Sequence, residues 1–319
     1  MKNIILKYYR ENLTLWIVFF VIWSIGVAYS FTGSQIETHI ELNSYHTPFL
    51  DTFFKYITDF GGNLPFILIG IFILFNLRDG FFLLLGQGIC SLITQIFKHT
   101  CCHPRPLTLF NSMGIDLPPT VEGVHIWDAM NSFPSGHTQV STSLFVSIAI
   151  WIKKRWMWVL AITMAILVAF SRLYLGVHFP TDVIAGFALG IALSFVCCYL
   201  HNKVENKLKL YGITVIIASA GLFFCTTEDF FTGYGILVGA LGAFLFEEKF
   251  VNFSLDVSLW KKAIRVVFGI IIILGLKEGL KIPFDLIAEG NLYLRALRYA
   301  IASFCALGLY PMLFKKFNF

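Results

Sequence analysis

Ten apolar stretches recur along the chain, near residues 13–31, 60–77, 80–97, 135–152, 156–172, 182–200, 211–226, 231–247, 264–280 and 292–313. No other feature restricts the fold as much. A segment that crosses the hydrocarbon of a bilayer needs roughly 17–25 mostly apolar residues. Within lipid every backbone N–H and C=O must also be bonded inside the protein. Continuous runs meet both demands as helices, whereas a spanning β-barrel would need alternating ones. Of the 319 residues, 57% are hydrophobic and only 13% charged, against about 25% charged in soluble domains. The expectation is an all-α, polytopic membrane protein. Gly61 and Gly62 interrupt the second stretch. Lys2, Lys7 and Arg10 precede the first stretch, and Ala28-Tyr29-Ser30 imitates a leader cleavage site. The run is long for a leader, and it reads as a retained first helix.

If each stretch crosses once, the loops fall on two sides. Lys55, Lys98, Arg105, Arg172, Lys277, Lys281, Arg295 and Arg298 share one side, and the other sixteen of the 24 Lys and Arg share the opposite side. The basic side is cytoplasmic, so both termini are expected inside. The net charge of +5 follows from cytoplasmic loops facing an anionic leaflet and asks for no nucleic acid.

Three polar clusters then fall together on the outer side. They read KHTCCHPRP (98–106), NSFPSGHTQ (131–139) and SRLYLGVHFPTD (171–182). Turn chemistry explains the prolines, but it does not call for clustered cations and imidazoles. Lys98, Arg105 and Arg172 supply three cations that suit phosphate oxygens. Ser135 and Gly136 sit at the expected N-terminus of a helix, where unbonded N–H groups and the helix dipole favour an anion. Asp182 lies four residues beyond His178, so its carboxylate can fix the imidazole tautomer and leave Nε2 as a nucleophile or base. His137, in a first helical turn, is placed to protonate a leaving oxygen. Nucleophile, orienting carboxylate, acid and oxyanion clamp together suit phosphoryl transfer.

In these motifs the chain resembles the type 2 phosphatidic acid phosphatase superfamily, which shares its core with vanadium haloperoxidases. The family pattern reads here as Lys98-x6-Arg105-Pro106, Pro134-Ser135-Gly136-His137 and Ser171-Arg172-x5-His178-x3-Asp182, with no signature position departing. The resemblance covers roughly residues 10–200 and implies a six-helix phosphatase core. It implies His178 as the nucleophile of a phosphohistidine intermediate, Asp182 as its partner and His137 as the acid. Lys98, Arg105, Ser135, Gly136 and Arg172 would form the phosphate cradle, with no metal and no cofactor. The implied substrate is a membrane lipid phosphate or pyrophosphate, of the undecaprenyl pyrophosphate, phosphatidic acid or phosphatidylglycerol phosphate class. It would be hydrolysed at the outer face of the plasma membrane. A haloperoxidase is disfavoured, because those relatives are soluble.

The chain divides on this reading into a core, 1–203, and a C-terminal transmembrane extension of about four helices, 204–319. Two alternatives stand beside hydrolysis: phosphoryl transfer to another acceptor at the same site, and a transport or scaffold role for the extension. No internal repeat supports a transporter of matched halves. His99, Cys101, Cys102 and His103 are crowded between Lys98 and Arg105 and read as a spacer rather than a zinc site. The loop 107–131 carries Asp116, Glu122, His125, Trp127 and Asp128 and reads as a lid or an ordinary external loop. His39, His46 and His201 read as surface residues. Tyr174 and Phe179 either line the site or pack beside it.

Overall fold

The computed structural model describes residues 35–62, 64–75, 77–254 and 256–317, with isolated positions before residue 35. The expected first span near 13–31, with Lys2, Lys7 and Arg10, lies outside this continuous stretch. The described residues form helices and no strand. The helices of the core are α1 (Gln35–Leu42), α2 (Pro48–Thr58), α3 (Leu64–Phe75), α4 (Leu77–Cys101), α5 (Pro106–Met113), α6 (Gly136–Ile152), α7 (Arg155–Tyr174) and α8 (Pro180–Lys203). The extension adds α9 (Lys207–Ser219), α10 (Glu228–Phe246), α11 (Leu259–Gly279), α12 (Lys281–Ile287), α13 (Leu292–Phe304) and α14 (Met312–Phe317). Among the described residues four helical stretches are long and apolar enough to cross a membrane: Arg155–Tyr174, Pro180–Lys203, Glu228–Val251 and Leu292–Phe314. The chain is a multi-pass membrane protein.

Helix α6 is the hub, packed against α4, α7 and α8. It is buried almost throughout, although it carries Thr138, Gln139, Ser141, Thr142, Ser143 and Ser147. Several of those groups are bonded within the helix or to α4. Thr94 donates to Gln139 Oε1 at 3.1 Å, and Ser143 donates to Gln87 Oε1 at 3.0 Å. Gln87 Nε2 donates in turn to the Val140 carbonyl at 3.2 Å. In lipid there is little hydrophobic drive between helices, so small residues and polar ties of this kind set the contacts. Gly186 of α8 shows the closeness: an added Cβ would lie 2.5 Å from the Ser135 carbonyl.

The extension is fastened to this hub. One apolar cluster joins Leu83, Leu84, Leu144, Phe145 and Ile148 of the core to Ala240, Ala243 and Leu307. Helix α11 lies on α3, and α10 lies on α4 and α13. Gly235 and Gly239, one turn apart on α10, face the backbone of Ala296 and Ala300 on α13, where no Cβ fits.

The main departures from expectation lie where the apolar pattern is weak. The second stretch begins its helix only at Leu64, because Asp59–Gly61 forms a tight turn. Helices α1, α2 and α5 occupy segments whose composition is too mixed to register as spans. Thr47 and Pro48 start α2, with the Thr47 hydroxyl accepting from the Leu50 N–H at 3.3 Å. It buries Phe54 and exposes Phe49 and Tyr56, the two-faced pattern of a helix lying along an interface.

Filling the α10–α13 contact should loosen the extension. Gly239→Leu is expected to lower the thermal midpoint in detergent by roughly 5 °C or more, the scale of overpacking against a rigid neighbour. Gly275→Leu on α11, where an added Cβ meets nothing within 4 Å, should leave it unchanged. Equal midpoints for the two variants would show that the crossing is not close-packed.

Candidate active site

Asp182 organises the site. Pro180 opens α8, and Asp182 is its third residue, from which a carboxylate reaches back to the start of the helix. Its Oδ2 accepts from the Phe179 N–H at 2.9 Å and from the Ser132 hydroxyl at 2.6 Å, and it lies 3.3 Å from His178 Nδ1. Ser132 Oγ is itself 3.2 Å from His178 Nδ1. The His178 Nδ1–H therefore has acceptors on its buried side, and Nε2 is left for chemistry. The Asp182 carbonyl accepts the Ser135 N–H at 2.9 Å, which ties the start of α6 to the start of α8. The remaining carboxylate oxygen, Oδ1, lies 3.6 Å from His103 Nδ1.

A second group gathers around the α6 N-terminus. First-turn N–H groups there have no acceptor within the helix. Lys98, near the end of α4, brings its Nζ over Gly136, within 3.7 Å of where a Cβ would be. Arg105 starts α5 and is clamped: its Nε donates to Asn131 Oδ1 at 2.8 Å, its Nη1 to the Val177 carbonyl at 3.4 Å, and its guanidinium lies 5.1 Å from the Trp127 ring centre. Arg172 ends α7, and its Nη1 donates to Thr58 Oγ1 at 2.8 Å. The Arg172 Nε–H is buried without a protein acceptor. Lys98, Arg105, Gly136, His137, Arg172 and His178 all line one cavity of about 1000 Å³. Ser135 and Asp182 stand directly behind its wall and are fully buried.

Electrostatics follow from this crowding. Burial, then the charges of Arg105, Arg172 and Lys98, hold the His178 imidazole well below its ordinary value of 6.5. It is thus a neutral base at physiological pH. Burial also lowers Arg105, and the carboxylates of Asp182 and Asp229 oppose that shift. Three cations in a buried space with so few counter-charges leave an unmet demand for an anion.

Several partners carry no signal in the motifs. Thr58 and the Asp59–Gly61 turn reach the site because Gly61 and Gly62 lie flat against His137. A Cβ on Gly62 would be 3.4 Å from His137 Nε2, and one on Gly61 would strike its carbonyl. The glycines that interrupt the second stretch are the one visible clue. Asn131 and Ser132 flank the central motif but look like loop residues. His39 is not at the surface: it is buried 5.4 Å from the rings of Phe110 and Phe179, and burial lowers its imidazole to about 4. Tyr174 and Phe179 pack rather than line the cavity. The Tyr174 hydroxyl donates to Asp51 at 2.7 Å, and Phe179 is buried against His39 and His103. The loop 107–131 holds α5 and is pinned to the site through Trp127, Ala129 and Asn131.

The extension reaches the same cavity. Thr227, Asp229, Lys277 and Arg295 are among its lining residues. Thr227 donates to Gln95 of α4 at 2.7 Å, and Arg295 pairs with Glu228 at 2.8 Å.

Comparison with known proteins adds the following. The PAP2 superfamily pattern matches residues 79–206, and that of the PAP2 superfamily phosphatase transmembrane extension matches residues 231–319. A phosphatidylglycerophosphatase B of Bacillus subtilis is 31% identical over 50% of this chain and 79% of its own length. An undecaprenyl-diphosphatase of Sulfolobus acidocaldarius is 27% identical over 56% of this chain and 85% of its own. The solved structure of a transmembrane PAP2-type phosphatidylglycerolphosphate phosphatase from Bacillus subtilis aligns with a TM-score of 0.47 at 28% identity. It covers 60% of this chain and 97% of that one.

Two measurements address the site. An attacking imidazole must be neutral, and the surroundings of His178 disfavour protonation, so if His178 fills that role the acid limb of kcat/KM should lie below pH 6.5. Two substrates whose phosphates ionise differently separate the enzyme's limb from their own, and a shared limb at or above that value contradicts the geometry. Ser132→Ala should lower kcat about ten-fold with little change in KM, because it loosens the imidazole without touching the cradle, and Ser132→Thr should restore most of it.

Proposed function

Because the chain belongs to the PAP2 superfamily and is a phosphatase, we propose that it hydrolyses a membrane lipid phosphate or pyrophosphate through a phosphohistidine on His178. The observation that carries the reading is the pairing of His178 with Asp182 and Ser132 at the edge of a cavity lined by Lys98, Arg105 and Arg172. The phosphoryl oxygens take the place of the missing counter-charge, held by the three cations, by the N–H groups at the start of α6 and by the unpartnered Arg172 Nε–H. His178 Nε2 attacks phosphorus in line, and the bond to the lipid oxygen breaks. His137, held under the Asp59–Gly61 turn, gives that oxygen a proton. Water then attacks the phosphohistidine, passing its proton to His137, and the P–N bond breaks to release inorganic phosphate. Positioning and charge neutralisation supply most of the acceleration in such a reaction. The cations already present answer the charge requirement, so turnover should not depend on a divalent ion.

Lipid substrates are supported by the relatives, which are named for phosphatidylglycerophosphate, undecaprenyl diphosphate and lipid A. The outward orientation rests on the distribution of Lys and Arg. The division at about residue 203 follows the end of α8.

Phosphate release by purified protein with EDTA present tests the reaction. Release is expected to persist with EDTA and to fall by about a thousand-fold or more in His178→Ala. Unchanged release in that variant would remove His178 from the chemistry. Orientation can be read from native thiols, since Cys101 and Cys102 are exposed beside the site. A membrane-impermeant maleimide should label them in intact cells, and the Cys101→Ser/Cys102→Ser variant should not be labelled. Labelling of those thiols only in inside-out vesicles would place the site on the cytoplasmic face.

A further inference from the structure

The catalytic cavity extends well beyond the phosphate cradle. At about 1000 Å³ it is at the large end of ligand sites, which span about 300–1,000 Å³, and a phosphate fills little of it. Beyond Gly136 it continues between α3 and α4 on one side and α10, α11 and α13 on the other. The walls there are hydrocarbon: Ile69 and Leu84 from the core, Ile236, Ile270, Ile273 and Leu307 from the extension. Helix α11 lies along α3, and Ile273 Cδ1 is 4.0 Å from the position of a Cβ on Gly70. On α10, a Cβ on Gly233 would meet nothing within 4 Å, so that wall is left unfilled. The two ends of this one space ask for different chemistry. One end is cationic and carries the nucleophile, and the other is mainly apolar, with Ser91 and Ser303 among its few polar groups.

We propose that the C-terminal extension forms the binding site for the hydrocarbon tail of the substrate, with Ile270 and Ile273 of α11, beside α3, supplying part of its apolar wall. The assignment rests on the phosphatase reading above. The occupant is an aliphatic chain carrying a phosphate, because only an amphiphile satisfies the cradle and the apolar walls at once. The extension then selects among lipid phosphates by tail shape, while the core performs the reaction. Thr227 and its bond to Gln95 hold the two parts in register at the rim.

The test is the dependence of kcat/KM on tail length, with the full chain in nanodiscs and ethyl, butyl, hexyl and octyl phosphate as substrates. These esters are monomeric in water, so each methylene that enters the chamber leaves water. In the wild type kcat/KM is expected to rise with length, by up to about four-fold per buried methylene. Ile273→Trp and Gly233→Leu fill the chamber from α11 and α10. Each should lower kcat/KM on octyl phosphate at least about ten-fold more than on ethyl phosphate. Gly275→Leu, on the same helix where an added Cβ meets nothing, should keep the wild-type slope. A flat wild-type series, or a slope unchanged in both chamber variants, overturns the proposal while ethyl phosphate turnover shows the reaction centre working. Absence of turnover on every ester, in the wild type as well, overturns the functional reading and this assignment with it.

Discussion

The buried Asp182 carboxylate is the interaction on which the rest of the site depends. One oxygen receives the Phe179 N–H and the Ser132 hydroxyl and faces His178, and its backbone carbonyl receives the Ser135 N–H. These bonds join the start of α8, the loop before α6 and the start of α6. Helix capping and imidazole orientation are therefore the same event. The carboxylate that caps the helix is also the one that faces the imidazole four residues before it. This supplies rigidity that a histidine on a short connection between two membrane helices would otherwise lack.

The second constraint is how closely these helices must approach. Lys98 ends one helix, Arg172 ends another, and the α6 N-terminus lies between them. They share one cavity, and beside it α8 lies against α6 at Gly186, where an added Cβ would be 2.5 Å from the Ser135 carbonyl. The hub meets the same demand with Ser and Thr rather than with large apolar side chains. The Ser141 and Ser143 hydroxyls bond to the preceding turn, and Ser143 also bonds to α4, so their polarity inside the bundle costs little. The electrostatic cost lies in the cradle, where cations are gathered with few counter-charges. On the proposed reading a bound phosphate would relieve that repulsion, and such a site holds an anion more strongly than an isolated surface pair does.

Much of this was legible in the chain. Apolar runs announce most long helices, because lipid forces backbone satisfaction and leaves a composition signal. The three polar clusters stand out against that background, and the structure brings their residues to one cavity. What was not legible depends on tertiary approach. Thr58 holds Arg172 across 114 positions of sequence, and nothing near Thr58 suggests a partner. His39 lies in a short polar helix, yet α1 lies against α7 and the ring is enclosed by Phe110 and Phe179. Helices α2 and α5 are too short and too mixed for a span pattern, and their caps are visible only once their ends are known. Ser132 shows the limit most clearly, since it sits inside a quoted motif and looks like turn filler until Asp182 is placed beside it.

If the extension holds the substrate's tail, as proposed, it raises a question that the core alone does not. A lipid tail moving from bilayer to protein leaves one hydrocarbon phase for another, so burial by itself contributes almost nothing to its affinity. Discrimination between tails must then come from shape: where walls close, where they stay open, and how firmly they are held. A chamber with one wall from the core and one from the extension can vary its second wall without disturbing the cradle. The contacts that fix that wall are of the rigid kind, glycine against backbone at Gly235 and Gly239, with one polar tie from Thr227 to Gln95. The arrangement separates two requirements that conflict in a single bundle. On the proposed reading the phosphate end must stay preorganised and charged, whereas the tail end must fit a flexible chain of particular width. Dividing them between two packed sets of helices lets each meet its own requirement.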